Sequence, residues 1–175
     1  LLQIIKDLGF VQLDTIQNVT RAHHHILWSR NNKYQENMFD EILKNADIFE
    51  HFTHDASILP IEFYPYWSIQ YTRMKEKIDK SKYYKNLLDD EGIKNIFKRL
   101  ENEGPLYIKD FGSDSVHKTT LDYMWYSGVL GTSHRINFRK YYDKKENIIP
   151  LEILNKQISQ KQQIHWLCSN ALSRL

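Results

Sequence analysis

Apolar positions recur along this chain mostly at the three-to-four-residue step of a helix and alternate in only a few short runs. That pattern predicts helices with short strands between them. A first helix reaches Leu8 and is closed by Gly9, and residues 10–13 (FVQL) read as a strand leading into a helix over residues 15–24. In NMFDEILKNA, Met38, Phe39, Ile42 and Leu43 share one helical face. IFEHFT is strand-like, and ILPIEFYPYW is an aromatic bend interrupted by Pro60 and Pro65. The charged residues 68–85 predict one long exposed helix.

The second half is more regular. A helix over residues 90–103 is closed by Gly104 and stopped by Pro105. Residues 106–108 are extended, and 109–111 make a brief helical turn. A helix over residues 118–127 turns Leu121, Met124 and Trp125 inward and ends at Gly128, so Lys118 would start it. Residues 129–143 then read as two strands joined around Ile136 and Asn137, because Asn tolerates the left-handed backbone of such a turn. Helix, strand, helix, helix, strand, wing, strand is the order of a winged helix, a variant of helix-turn-helix. Its third helix and its wing are the parts that usually meet DNA.

Composition narrows the class. A hydrophobic content of 41% with 26% charged residues suits a folded domain, and no apolar stretch approaches the roughly 18 residues needed to span a bilayer. The single cysteine, Cys168, excludes an internal disulfide and a cysteine-based zinc cage. It is expected to be a small buried residue beside Trp166 and Leu167. A cytoplasmic location is the expectation. The chain opens and closes inside helices without an initiator Met, so it reads as a piece of a longer protein.

Net charge is +2 but unevenly spread. Residues 1–65 hold five Lys or Arg against nine acids, whereas residues 117–145 hold six against two. A basic face of that kind suits a polyanion. Its members are Lys118, His134, Arg135, Arg139 and Lys140, around one helix start and one hairpin. Alternation would put Arg135 and Arg139 together if no bulge intervenes, and phosphate contact is the natural use of such a set. A solvated surface hairpin is the other reading.

The histidines do not assemble into a metal site. His23, His24 and His25 are consecutive, and on a helix their side chains diverge by about 100° each. His51 and His54 lie in a strand-like stretch that then turns. The FYPYW cluster is expected to pack internally, although such rings also stack on exposed bases.

The pair Gln12 and Asp14 raises a sharper question, because alternation points an amide and an acid the same way. Asp14 begins DTIQ, a capping-box-like pattern with Gln17 three residues on, so a helix cap is one answer. A functional site is the other.

GFVQLDTIQNVTRAHHHILWSR, HDASILPIEFYPYW, GPLYIKDF and INFRKYYD resemble, in order, motifs of the YcaQ/AlkZ-like DNA glycosylases. Residues 74–86 carry no motif that matches. The resemblance implies an α+β fold, mainly α with short β-hairpins, made of tandem winged-helix units truncated at both ends. Residues 1–60 would hold part of a first unit with the catalytic motif, 61–85 a connecting helical segment, 86–150 a second unit and 151–175 the start of a third. It also implies excision of alkylated bases from double-stranded DNA by a monomer without cofactor or metal. Gln12 and Asp14 fall on the family's catalytic amide-x-acid positions, and the acid resembles the YcaQ branch, associated with opening interstrand crosslinks. His23 and His54 fall on family histidines, for which a place lining the groove and a packing or hydrogen-bonding role are both open. Two other classes stay open: a non-catalytic winged-helix regulator, with Asp14 only a cap, and a protein-interaction module favoured by the acidic first third.

Overall fold

The first helix, α1 (Leu2–Leu8), buries Ile5 and ends at Gly9, whose N–H donates to the Ile5 carbonyl at 2.8 Å. The computed structural model describes residues 1–112 and 114–174. The chain continues through β1 (Val11–Gln12), α2 (Ala22–Trp28), α3 (Glu36–Lys44), β2 (Ile48–Phe52) and β3 (Ala56–Pro60), then a 3₁₀ turn over Ile61–Tyr66. The three strands form one antiparallel sheet in the order β1-β3-β2, with Gln12 opposite Ser57 and Ser57 opposite His51. Ile48, Phe49, Ile58 and Leu59 are buried in it. On α3 it is Phe39 and Leu43 that turn inward, as the spacing predicts.

The expected helix over residues 15–24 is not there. Residues 13–21 are irregular and the helix begins only at Ala22. Thr15, Ile16, Val19 and Thr20 are β-branched, a type that loses side-chain freedom in a helix. Residues 15–19 are also exposed, so no buried face offsets that loss.

A second group of elements follows: α4 (Ser68–Asp79), a 3₁₀ turn over Lys82–Lys85, α5 (Asp90–Glu103), β4 (Leu106–Tyr107), α6 (Ile108–Phe111), α7 (Ser115–Tyr126), β5 (Leu130–Ile136), β6 (Arg139–Lys144) and α8 (Lys145–Ile148). The predicted helix over residues 68–85 therefore stops at Asp79, and Ser81 caps the next turn by accepting from the Tyr83 N–H. α5 keeps the expected bounds. It is capped by Asp89 at its start and closed at Gly104. α7 starts earlier than expected because the Asp114 carboxylate accepts from the Val116 and His117 N–H groups, which moves Lys118 into the helix interior.

β4, β6 and β5 make a second three-stranded antiparallel sheet. Leu121, Met124 and Trp125 of α7 are buried, as are Leu130 and Tyr142 of the sheet. Gly128 ends α7 with φ 73°, and a Cβ there would stand 2.5 Å from the Tyr71 ring. Only glycine fits both constraints.

The last elements are α9 (Leu151–Leu154) and α10 (Gln160–Leu172). Trp166 of α10 stacks on Tyr66 (4.6 Å, 12°) and meets Phe63 edge-on at 4.6 Å, so the aromatic bend packs internally. The Arg174 guanidinium donates to the carbonyls of Lys6 (2.6 Å) and Asp7 (2.9 Å) at the end of α1. Cys168 is exposed, not buried: two residues beyond Trp166, it lies on another face of the helix. The chain divides into two compact units, Leu1–Trp67 with Ile149–Leu175, and Ser68–Ile148. The whole is a mixed α+β protein, richer in helix than in strand.

Candidate active site and nucleic-acid interface

Gln12 and Asp14 keep the alternation that the sequence suggests. Val11 and Leu13 are buried, while Gln12 and Asp14 are each partly exposed. The Leu13 N–H still donates to the Ala56 carbonyl at 2.8 Å, so the strand's pairing extends one residue past Gln12. Asp14 then turns the chain: its Oδ1 accepts from the Ile16 N–H at 2.8 Å. That is an Asx turn. No helix starts there, and α2 begins after Arg21 without a side-chain cap. The capping-box explanation of Asp14 and Gln17 is therefore removed.

The antiparallel register puts the end of β1 beside the start of β3. The β2–β3 connection at residues 53–55 thus reaches the same end of the sheet as Asp14. His54 sits exposed in that connection, where the Thr53 N–H donates to the Asp55 carbonyl. Behind Gln12 a polar row crosses the sheet through Ser57 to His51. The Ser57 and Thr53 hydroxyls are 2.8 Å apart, and the Trp67 indole N–H donates to His51 Nδ1 at 2.9 Å. A ring whose Nδ1 accepts carries its proton on Nε2. Sequence reasoning gave His51 no role. Its partner Trp67 lies sixteen residues away, and nothing local in the sequence links them.

His23 is buried against His24 (ring centroids 4.1 Å) and Phe39 (5.5 Å) on α2, which packs against β1, so it lies in the interior. His24 Nδ1 and the Tyr34 hydroxyl are 2.7 Å apart, and Nε2 is 3.7 Å from Glu36. Burial holds the His24 imidazole below its ordinary pKa, opposed by the Glu36 carboxylate. Glu36 also accepts from the Thr20 hydroxyl at 2.6 Å, which pins the far end of the loop that begins at Asp14. That loop holds two apolar side chains in solvent: Ile16 is 68% exposed and Val19 is 87% exposed. Among the described residues, no three His, Cys, Asp or Glu side chains gather into a metal-holding group.

In the other unit, β5 and β6 turn at Asn137 (φ 49°) and Phe138 (φ 65°), both left-handed, as a two-residue hairpin turn requires. The register pairs Arg135 with Lys140 and Ile136 with Arg139, and a bulge falls between Thr132 and His134. Arg135 and Arg139 are therefore on opposite faces, contrary to the expectation from alternation alone. Arg135 donates to the Phe138 carbonyl at 2.6 Å and lies over the Phe138 ring at 4.5 Å, clamping the turn. The Lys140 ammonium stands 3.3 Å from the centroid of Trp125, on the side facing α7. It also faces Asp122, whose carboxyl burial pushes up while Lys140, Tyr142 and Lys118 oppose the shift.

On the other face His134 stacks on Tyr141 (4.6 Å, 15°), Tyr141 meets Tyr107 at 5.4 Å, and the Arg139 guanidinium lies over Tyr107 at 5.7 Å. Arg139 and Lys118 are exposed and hold no ion pair among the described residues. The structure thus divides the five basic residues. Lys140, Arg135 and the stacked His134 are used within the fold, whereas Arg139 and Lys118 are available to an anion.

No helix among the described residues is long and apolar enough to cross a membrane. No solved structure matches the chain. The family model described as DNA glycosylase AlkZ-like matches residues 5–175, nearly the full length, in keeping with the motifs around Gln12 and Asp14. The chain belongs to the AlkZ-like family of DNA glycosylases.

Proposed function

We propose that this protein hydrolyses the N-glycosidic bond of alkylated purines in duplex DNA, with Asp14 as general base and Gln12 holding the attacking water. The observation that supports this reading is that Asp14 caps no helix and stands partly exposed one alternation beyond Gln12. A purine alkylated at N7 is already cationic, so its bond to C1′ breaks without a strong acid. The electron pair of that bond passes to the base, and the sugar becomes an oxocarbenium-like cation. A carboxylate beside it stabilises the charge and takes the proton as water adds to C1′. The Gln12 side chain offers that water both a donor and an acceptor. Crosslinks joined through N7 share the chemistry and fall within the same reading, closer to the YcaQ branch.

On this reading residues 86–150 act as a winged helix, with α7 and the β5–β6 hairpin against the duplex and phosphates meeting Lys118 and Arg139. The protein works as a monomer, and in a cell its place is with the DNA of the cytoplasm.

The test is excision of N7-methylguanine from duplex DNA by the full chain. Asp14→Ala is expected to lower excision by roughly 10²–10⁴-fold, the scale for losing a general base, with the fold intact by circular dichroism. Wild-type activity in a folded Asp14→Ala protein would remove Asp14 from the chemistry.

A further inference from the structure

Residues 74–86 contribute nothing to the motifs behind the family resemblance, yet they hold an organised surface. Tyr83 is 58% exposed. Its N–H donates to the Ser81 hydroxyl at 3.3 Å, and its ring stands edge-on against Tyr84 at 5.0 Å (83°). Tyr84 is itself fixed: it meets Tyr123 and Tyr126, each at 6.3 Å, and burial pushes its phenol up to about 12. The exposed ring is therefore held on a packed tyrosine cluster.

Exposed lysines lie close to it along the chain. Lys77, Lys80, Lys82 and Lys85 are exposed, and none has an ion pair among the described residues. Lys82 and Lys85 stand before and after Tyr83 in the same short turn, and all three side chains are exposed. The acid nearest in sequence, Asp79, is already engaged by Lys75 (2.7 Å) and by the Tyr123 hydroxyl (2.8 Å).

We propose that this corner binds an unpaired nucleotide of a DNA strand, with the base stacked on Tyr83 and the flanking phosphates on Lys82 and Lys85. A fixed, exposed aromatic ring between cations is how single strands are held without regard to sequence. A duplex keeps its base faces stacked and would use only the lysines. An anionic membrane would call for apolar residues to enter it, and this corner offers a single tyrosine. The inference rests on the reading that the protein works on DNA, and it adds a contact outside the Gln12–Asp14 site and the hairpin.

Fluorescence polarisation with the full chain and a short oligo-dT strand tests it, beside a duplex of equal length and phosphatidylserine vesicles. Tyr83→Ala is expected to weaken oligo-dT binding by about 5- to 150-fold, the range for one lost stacked base, while Tyr83→Phe binds as wild type. Lys82→Ala with Lys85→Ala is expected to lower the salt slope on oligo-dT by up to about 1.4. Unchanged oligo-dT binding in Tyr83→Ala overturns the proposal. So does a lysine variant that loses vesicle binding and keeps oligo-dT. If Asp14→Ala excises normally while strand binding still depends on Tyr83, the glycosylase reading fails and this corner stands. If excision depends on Asp14 and Tyr83→Ala changes nothing, the corner alone fails.

Discussion

Arg135 and Arg139 face away from each other across the β5–β6 hairpin, because Arg135 pairs with Lys140 and Arg139 with Ile136. The two arginines therefore have different expected phenotypes. Arg139→Ala should weaken duplex binding for every sequence and flatten its salt dependence by about 0.9 of a slope unit, the value for one phosphate contact. Arg135→Ala removes the clamp on the Phe138 carbonyl, so its main effect should be on the hairpin's stability. Binding titrations over a salt series, with thermal melts of both variants, separate the two.

Gly128→Ala is expected to destabilise residues 68–148 by about 1–3 kcal/mol, since a side chain is strained at φ 73° and meets the Tyr71 ring. Urea unfolding measures this. A midpoint equal to wild type would mean that neither the backbone angle nor the ring contact constrains the position.

Ile16→Ser with Val19→Ser should leave stability within about 0.5 kcal/mol, because both side chains are already in solvent. If the loop after Asp14 meets DNA, the same variant should bind a lesion-containing duplex several-fold more weakly. Melting and binding measured on one preparation show whether the two effects part.

Acid should loosen α2. The His24 imidazole is held below its ordinary 6.5 in the folded protein by burial, with Glu36 and Asp40 opposing and Arg21 and His25 reinforcing. The unfolded chain thus takes up this proton first. The stability contribution is present above about pH 6.5 and is lost as pH falls through the folded-state value. Hydrogen exchange of the α2 amides between pH 7.5 and about 5 reads the change, and His24→Gln should flatten it.

Much of the fold was legible where local signals agree. Asp90 to Glu103 combines an apolar stripe with a closing glycine and a following proline, and α5 has those bounds. The hairpin was legible too, but its facing was not. Alternation along one strand gives no partner, and the partner depends on a turn whose length the sequence leaves open. Residues 15–24 misled because a capping-box pattern preceded them. Asp14 bonds to the N–H two residues on instead of three, and the β-branched loop stays irregular until Ala22. The shared facing of Gln12 and Asp14 followed from period two alone, whereas the row behind them needed the register of β2 and β3.

The contact of Arg174 with the carbonyls of Lys6 and Asp7 bears on how the protein comes off the ribosome. One compact unit is made from two separate stretches, residues 1–67 and 149–175, with residues 68–148 between them in sequence. Chains are synthesised from the N-terminus, and domains generally fold as units while this proceeds. The inserted unit can therefore complete itself first. α1 and the 3₁₀ turn after β3 gain their α10 contacts only once residues 160–174 have been made, so the unit that carries Gln12 and Asp14 waits for a helix encoded far downstream of them.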